Sequence, residues 1–425
     1  MKKVLKGGRM IDPSQKIDDI KDVLIVDGKI ADIKDNIELS EVEKIDISGK
    51  ILTPGLIDIH VHFREPGYEY KEDIESGSKS AVAGGFTAVA CMPNTNPPID
   101  NAALVEFVRN QGLRAGKAKV LPIGCVSKGM KGKEITEMGD MVSSGAVAFS
   151  DDGKPVANGS LLRQAMVYAA MFNKVVIDHC EETSLFEGGQ INEGYTSTLL
   201  GLTGIPKAAE EIMVARNIIL AKEMGTRIHI AHVSTKGSVE LIRRAKADGV
   251  KVTCEVTPHH LILTEEAVQG FDTMAKVNPP LRTAEDVTAL ISGLKDGTID
   301  AVVTDHAPHH MDEKDVEFDQ AAFGLVGLET SLGLMLTHMV SEDKLSMAEL
   351  IDKMTCGPAR VLDLDLGTLK IGSSADITVI DPELMWTVDR NEFVSKARNT
   401  PFDGWKLRGK AIMTIVDGEL VHTNA

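Results

Sequence analysis

The sequence is poor in aromatic residues, and its basic residues are outnumbered by acidic ones. Phenylalanine, tryptophan and tyrosine make up 4% of its 425 residues, which suits an interior built from Val, Ile, Ala and Met. Lysine and arginine number 46 against 63 aspartates and glutamates, which gives a net charge of −17. A field of this sign repels nucleic acids and anionic membrane surfaces. We therefore expect neither as a partner, and an anionic substrate would need a local cationic group.

Cysteine is also scarce, and an export signal is missing. The five cysteines are odd in number and far apart, and no two form a Cys-x-x-Cys pair: Cys91, Cys125, Cys180, Cys254 and Cys356. This pattern favours reduced thiols over a disulfide framework or a thiolate zinc site. No apolar segment follows the lysines of MKKVLKGGRMID, and the longest stretch of low polarity, 81–93, is too short to cross a bilayer. We expect an untargeted, cytoplasmic protein.

The middle of the chain alternates short apolar runs with helix-like segments. The apolar runs are 56–62, 86–92, 119–125, 145–149, 174–180, 227–233, 250–256 and 299–305; helix-like segments include 101–111, 160–172, 206–224 and 283–295. Because the runs are apolar throughout, they are typical of parallel strands covered on both faces. The pattern predicts an α/β fold, a TIM-type (β/α)8 barrel. An open doubly wound sheet with fewer strands is the alternative.

Both ends of the chain contain short strands without helices between them. These strands, at 23–33, 45–51, 375–381 and 412–421, are separated by Asp-Gly or Ser-Gly turn signals. We predict one small β-sandwich domain built from residues 1–54 and 366–425, and a barrel domain of residues 55–365.

Polar residues follow the predicted barrel strands where the apolar runs stop, and in this fold those strand ends form one mouth. His60 and His62 are two apart, so both face the same side of a strand. An isolated His-x-His is a weak signal, because two polar residues can simply end a strand. With further histidines and carboxylates at other strand ends, however, burial without a cation would leave charge unpaired. The residues are His60, His62, Asn94, Asp151, Asp152, His179, His232, Asp305 and His309.

The imidazole and carboxylate ligands of this site suit Zn²⁺, with Mn²⁺, Co²⁺ and Fe²⁺ as alternatives. Their number indicates two ions. One would be held by His60, His62 and Asp305, and the other by His179 and His232. Two cations roughly 3.5 to 4 Å apart need a bridging carboxylate. Asp151 or Asp152 would supply it.

Two longer motifs contain the first and the last of these residues: DIHVHFREPG (58–67) and TDHAPHH (304–310). They resemble the two signatures of the dihydroorotase family in the amidohydrolase superfamily, in its long bacterial and archaeal type. The tail GTLKIGSSADITVID resembles the small β domain of the family. Further similar segments are MPNTNPP (92–98), FSDDG (149–153), DHCEE (178–182), AHVS (231–234), VTPHHL (256–261), NPPLR (278–282) and GLVGLET (324–330).

This resemblance implies reversible hydrolysis of the cyclic amide of (S)-dihydroorotate to N-carbamoyl-L-aspartate, the ring closure of de novo pyrimidine (UMP) biosynthesis. Some relatives bridge their metals with a carbamylated lysine after strand four; GAVAFSDDG has none, so the resemblance implies an aspartate bridge, Asp152 rather than Asp151. Ala322 departs from the usual proline and would loosen its loop. The implied substrate-binding groups are His62, Arg64, Asn94, Asn278, His309 and the backbone of Phe323 and Gly324.

The chemistry of these side chains agrees with a carboxylate substrate. We call Arg64, Asn94, Asn278 and His309 the anion clamp, since a guanidinium, amides and an imidazole can bind a carboxylate. The alternative for Arg64 is a surface position paired with Glu65 or Glu69. In the implied mechanism, a hydroxide bridging two cations attacks the ring carbonyl, and Asp305 moves its proton to the leaving nitrogen. A purely coordinating Asp305 is the alternative.

Other residues and functions have simpler interpretations. His229 is predicted to pack against a helix, His259 and His260 to bind no metal, and Lys154 to be solvated. An allantoinase or hydantoinase would share the barrel and metals without necessarily sharing the anion clamp. An inactive scaffold for aspartate transcarbamoylase would typically lack the ligands present here. The sequence leaves open whether the chain forms a homo-oligomer or associates with aspartate transcarbamoylase.

Overall fold

The computed structural model describes residues 2–40 and 42–424 of the chain. Its strands divide between a barrel, a sheet made from both ends of the chain, and a short pair in a loop. In chain order they are β1 (Lys2–Asp12), β2 (Ile17–Val26), β3 (Lys29–Lys34), β4 (Glu43–Asp46), β5 (Ile51–Pro54), β6 (Leu56–Val61), β7 (Phe86–Cys91), β8 (Lys119–Gly124), β9 (Ala148–Ser150), β10 (Val176–Asp178), β11 (Ile191–Asn192), β12 (Gly204–Ile205), β13 (Ile228–Ile230), β14 (Val252–Val256), β15 (Ala301–Val302), β16 (Ile377–Thr387), β17 (Lys406–Val416) and β18 (Glu419–Thr423).

Eight parallel strands form the barrel in the order β6-β7-β8-β9-β10-β13-β14-β15. Its two edges meet where Val61 forms a parallel bridge with His306 and the His62 N–H donates to His306 O at 2.9 Å. Every residue of β6 and β7 is buried, as their continuous apolar runs predict. The predicted TIM-type (β/α)8 barrel is therefore confirmed, and the open doubly wound sheet is wrong.

Helices cover the outside of the barrel. The helix α2 (Ala102–Ala115) shows how local sequence sets their ends: the Asn101 side chain accepts the Leu104 N–H at the start, and Gly116 ends the helix in a left-handed conformation. The four predicted helical segments correspond to α2, α4 (Gly159–Ala170), α6 (Lys207–Met224) and α9 (Ala284–Lys295). Within the described residues, no helix is long and apolar enough to span a membrane. The helices are α1 (Ile74–Ala83), α2 (Ala102–Ala115), α3 (Met138–Ser144), α4 (Gly159–Ala170), α5 (Tyr195–Leu200), α6 (Lys207–Met224), α7 (Lys236–Ala247), α8 (Pro258–Ile262), α9 (Ala284–Lys295), α10 (Ser331–Met335), α11 (Met347–Met354) and α12 (Cys356–Leu362).

An apolar cluster fills the barrel interior below its mouth. It combines alternate residues of the barrel strands, such as Ala88 and Ala90, with Val361 and Leu362 of α12. Gly357 of α12 packs against the carbonyl of Asp300, just before β15, so α12 lies at the amino ends of the strands. The opposite, carboxyl ends are left for polar side chains. All five cysteines are buried and unpaired, as expected.

Both ends of the chain contribute to one mixed sheet of eight strands, in which β5 pairs with β16. The sheet curls on itself: the Ile30 N–H donates to Ser373 O at 3.0 Å, and the Ala375 N–H donates to Gly28 O at 2.9 Å. The apolar core of the curl includes Leu52 and other buried residues of both ends. The expected sandwich from both termini is confirmed, whereas the domain bounds 1–54, 55–365 and 366–425 stay predictions.

Gly85 lies where this sheet meets the barrel. Its φ is +93°, and a Cβ there would lie 2.9 Å from Ala411 Cβ and 2.9 Å from Thr378 Cγ2. The Thr378 hydroxyl donates to Gly85 O at 2.6 Å, and the Leu56 N–H donates to the same oxygen at 3.3 Å. The sheet therefore approaches the barrel closely only because position 85 has no side chain.

We predict that Gly85→Ala destabilises the protein more than a matched glycine substitution. Gly297 has a similar φ of +83°, but a Cβ there would meet nothing within 4 Å. Gly297→Ala should therefore cost only backbone strain, about 1 to 2 kcal/mol of unfolding free energy. Gly85→Ala should cost about 1 to 3 kcal/mol more, because it also overpacks the contact. Urea unfolding of both variants measures the difference, and equal losses would contradict the account.

Candidate active site

Six candidate metal ligands converge at the carboxyl ends of five barrel strands. Each one lies within three residues of the carboxyl end of its strand, so the barrel places them together although they are distant in sequence. All six are at most 9% exposed. They are His60 in β6, His62 directly after β6, Asp152 after β9, His179 after β10, His232 after β13 and Asp305 after β15.

Asp152 lies between two pairs of histidines. Its Oδ2 atom is 3.4 Å from His60 Nε2 and 3.5 Å from His62 Nε2. Its Oδ1 atom is 3.6 Å from His179 Nδ1 and 3.5 Å from His232 Nε2. One carboxylate thus offers a separate oxygen to each pair, the arrangement that a bridging ligand requires.

Asp151 points away from this cluster. Its Oδ1 atom accepts the N–H groups of Val126 at 2.9 Å and Ser127 at 3.0 Å, and the Ser127 hydroxyl donates to its Oδ2 atom. Both oxygens of Asp151 are therefore bound to the loop after β8, whereas Asp152 lies in the centre of the histidine cluster. The geometry supports the choice of Asp152 within the pair.

Asp305 joins the first pair of histidines. Its Oδ1 atom is 3.0 Å from His62 Nε2 and 3.6 Å from His60 Nε2. Within the described residues, three overlapping ligand groups have their atoms within 4.8 Å of one another. They are His60, His62 and Asp152; Asp152, His179 and His232; and His60, His232 and Asp305.

These residues fit divalent cations. Tetrahedral ligands about 2.0 to 2.1 Å from zinc lie roughly 3.3 Å from one another, close to the separations around Asp152. His60 Nε2 and Asp152 Oδ1 are buried without a hydrogen-bond partner. Such orphaned atoms are costly unless something else binds them. Nitrogen and carboxylate donors without a thiolate suit zinc and its first-row neighbours.

The second nitrogen of His60 is fixed by a carboxylate that sequence reasoning missed. His60 Nδ1 is 2.6 Å from Glu255 Oε1, and Glu255 Oε2 is 3.0 Å from His229 Nε2. Such a contact directs Nε2 of His60 to the cluster. The interpretation of His229 as a packing residue against a helix is wrong, because it lies between Glu255 and the Thr253 hydroxyl, 2.8 Å from Nδ1. A carboxylate inside the apolar run KVTCEV was the available signal.

Asn94 and Asn278 also contact the histidines. Asn94 Oδ1 is 2.9 Å from His62 Nδ1, which leaves His62 Nε2 for the cluster. Asn278 Nδ2 is 3.4 Å from His179 Nε2 and 3.0 Å from Glu181 Oε1. Glu181, a second missed carboxylate, therefore anchors Asn278 beside His179. Its position in the DHCEE motif was the only sequence signal.

The pKa shifts reflect strong mutual attraction in the cluster. Burial alone would raise the pKa of Asp152, but the neighbouring imidazoles, His60 first, hold it well below its usual value. Burial alone would lower the pKa of His179, yet Asp152 and Glu181 raise it to about 10. The negative charge of the carboxylates thus favours positive charge on their neighbours. Protonated imidazoles provide this charge when no cation is bound.

The anion clamp lines a cavity of about 240 Å³ beside the candidate metal ligands. Arg64 is 9% exposed, donates from Nε to Pro308 O at 3.2 Å and has Nη2 3.4 Å from His309 Nε2. The surface alternative for Arg64 is therefore wrong. His309 Nδ1 is 2.9 Å from Glu313 Oε2, and burial lowers the pKa of His309 to about 4. The lining also includes Asn94, Asn278, Phe323 and Gly324.

Other expectations have mixed outcomes. His260 contacts Thr257 and Pro279 O and, like His259, belongs to none of the ligand groups. Lys154 is exposed, as predicted for a solvated residue. The Ala322 N–H donates to Glu313 O at 3.0 Å, a bond that proline could not make. The loosening expected from Ala322 stays a prediction.

Family models match both halves of the chain. Residues 49–238 match the Dihydro-orotase-like model, and residues 205–422 match the Amidohydrolase family model. A curated dihydroorotase from Pelotomaculum thermopropionicum is 56% identical over 99% of this chain and 98% of that protein. Another from Geobacter metallireducens is 54% identical over 99% of this chain and 100% of that protein.

Solved structures agree on the fold. The L-hydantoinase (dihydropyrimidinase) of Arthrobacter aurescens has a TM-score of 0.89 at 28% identity, covering 100% of this chain and 98% of that one. The dihydropyrimidinase of Brevibacillus agri has a TM-score of 0.85 at 23% identity, covering 100% of this chain and 95% of that one. At this identity, the likeness shows the fold alone. From the family models and the full-length relatives at more than 50% identity, the chain belongs to the dihydroorotase family of the amidohydrolases.

Proposed function

We propose that this protein catalyses the reversible hydrolysis of (S)-dihydroorotate to N-carbamoyl-L-aspartate in pyrimidine biosynthesis. The observation that carries the proposal is the anion clamp beside the histidine–carboxylate cluster, with Arg64 buried and aimed at the cavity. Both compounds carry carboxylates, which a buried guanidinium binds strongly. The relatives named dihydroorotase support the same activity. A cytoplasmic location belongs to this proposal.

The guanidinium of Arg64 also offsets the repulsion between the negatively charged protein and an anionic substrate. A chain with a net charge of −17 repels anions over most of its surface. At the cavity, Arg64 supplies a positive charge, while the neutral His309 and the amides of Asn94 and Asn278 add polar contacts without more negative charge. The site can therefore accept an anion that the remaining surface repels.

Two divalent cations, which we propose to be Zn²⁺, would occupy the ligand groups with Asp152 between them. When bound, such ions would lower the pKa of a water molecule and polarise the ring carbonyl. His60 and His62 would hold one together with Asp305, and His179 and His232 would hold the other. The chain's own contribution is to keep these nitrogens directed inward through their outer contacts.

Asp305 is placed to move a proton. Burial alone would raise its pKa, but the imidazoles, His60 first, hold it below its usual value, so the carboxylate is ionised. It lines the cavity, where it can accept a proton from the attacking water and donate it to the departing ring nitrogen. In the reverse direction the same carboxylate would take the proton from the attacking ureido nitrogen.

Comparing substrates tests the function. Purified, metal-loaded protein should turn over dihydroorotate far faster than hydantoin or allantoin, which lack the carboxylate that Arg64 would bind. Faster turnover of hydantoin or allantoin would overturn the proposal in favour of those activities. No turnover of any of them would favour a scaffold, although all six candidate ligands are present. Homo-oligomerisation and association with aspartate transcarbamoylase stay predictions.

The first site prediction concerns the bridge. Asp152→Ala should lose at least one of the two ions, because adjacent dications held by neutral imidazoles repel each other. Asp151→Ala is the matched control: it should lower stability by releasing Val126 and Ser127 but keep both ions. Elemental analysis of the folded proteins measures the ion content. If only Asp151→Ala lost metal, Asp151 rather than Asp152 would be the bridging carboxylate.

The second prediction separates metal binding from proton transfer. Asp305→Asn keeps an oxygen that can bind metal but cannot accept a proton. We expect metal to remain while turnover falls by roughly two orders of magnitude or more in both directions. Initial rates with dihydroorotate and with carbamoyl aspartate measure the loss. Near-normal rates would assign the proton transfer to another group.

The third prediction concerns the anion clamp. Arg64→Met should weaken binding of the transition state by about 2 to 5 kcal/mol, because the bound carboxylate loses its charged partner. The value of kcat/KM for dihydroorotate should therefore fall roughly 30- to 4,000-fold. Arg227→Met is the control, since Arg227 precedes β13 at the opposite end of the barrel and bonds to Asn173 O. Steady-state kinetics at equal metal content should show the loss only for Arg64→Met. An unchanged kcat/KM would contradict a role in binding.

A further inference from the structure

Two lysines are buried behind the cavity wall. Lys276 is 1% exposed and Lys314 is fully buried. Neither forms an ion pair within the part of the chain that the structure describes; both ammonium groups donate to backbone carbonyls instead. Burial lowers their pKa, to about 8 for Lys276 and about 7 for Lys314. Keeping ammonium groups here is costly. Apart from Lys276 O, the carbonyls that they contact lie in the loop of residues 318–324.

Lys314 holds the carbonyls on both sides of Phe323. Its Nζ atom donates to Ala322 O at 2.8 Å and to Gly324 O at 3.0 Å, with Lys276 O at 3.4 Å. The Gly324 N–H in turn donates to Lys276 O at 2.9 Å. The polar backbone groups that flank Phe323 are thus bound inside the protein.

Phe323 is the exception within this segment. Its N–H and C=O form no hydrogen bond with the described residues, and Phe323 lines the cavity. Lys276 Nζ lies 4.6 Å from the centre of the Phe323 ring and donates to Phe318 O at 2.6 Å. A neighbouring N–H and C=O on one residue complement the N–H and C=O of a cyclic amide.

We propose that Lys314 and Lys276 are positioning residues that hold Phe323 so that its free N–H and C=O face the ring of the substrate. Lys314 fixes the backbone on both sides of Phe323, and Lys276 fixes its aromatic ring through a cation–π contact. Neither lysine touches the substrate. The inference rests on the proposed function for the identity of the ring.

Lys314→Met tests this proposal because it keeps the length of the side chain but removes the ammonium. Hydrogen bonds to the ring would exist in both the bound substrate and the transition state, so their loss should raise KM more than it lowers kcat. We expect KM for dihydroorotate to rise about tenfold, with kcat within about threefold of the wild type. An unchanged KM would overturn the proposal.

Lys353→Met is the matched control. Lys353 is also buried, at 9% exposure, and donates to a backbone carbonyl, Ile299 O, at 2.6 Å. Ile299 precedes β15 at the amino end of the barrel, away from the cavity. Lys353→Met should lower stability and leave KM unchanged. If it raised KM as much as Lys314→Met does, the effect would be general destabilisation and the proposal would fail.

Hydrogen exchange without substrate gives an independent readout. The peptide that contains Phe323 and Gly324 should exchange faster in Lys314→Met than in the wild type or in Lys353→Met, and equal exchange would overturn the proposal. If the wild type does not turn over dihydroorotate, the proposed function fails while this comparison still decides the role of the lysines. If Lys314→Met does not fold, Lys276→Met is measured in its place, and unchanged KM and exchange there overturn the proposal.

Discussion

The site depends on one buried carboxylate, Asp152, that faces two pairs of imidazoles. A carboxylate that is 2% exposed needs strong compensating charge, and its neighbours must be held in fixed orientations to provide it. Glu255 and Asn94 orient the outer nitrogens of the first pair, and Asn278 contacts that of His179. These outer contacts give the histidines of the cluster fixed orientations and give the buried polar residues around them hydrogen-bond partners.

The barrel makes this concentration of charge feasible. Its closed ring of strands is packed with apolar side chains below the mouth, and the ligands project only from the strand ends. Arg64, His232 and Asp305 adopt positive φ angles of 50°, 25° and 48°, which non-glycine residues rarely do. Such conformations cost about 1 to 3 kcal/mol each and persist where the surrounding structure fixes them. Their occurrence at the site indicates that the scaffold stabilises the arrangement of these side chains.

The sequence predicts the barrel, a small β domain built from both termini and the set of polar residues at the mouth, because apolar runs and their ends are local signals. It does not predict how short the hydrogen-bonded strands are. Of the run 174–180, only Val176–Asp178 forms β10, because strand pairing depends on the neighbouring strands. It also misses Glu255 and its contact with His229, since a carboxylate within an apolar run says nothing about its partner. The choice between Asp151 and Asp152 likewise needs the loop after β8, whose N–H groups bind Asp151.

The central proposal is that Asp152 would join two cations, one through each of its oxygens. Anomalous X-ray diffraction from crystals of metal-loaded protein tests it most directly, because each bound ion gives its own peak. The account predicts two peaks roughly 3.5 to 4 Å apart, one beside His60 and His62 and the other beside His179 and His232, with one Asp152 oxygen on each. A single peak, or two peaks without Asp152 between them, would contradict it.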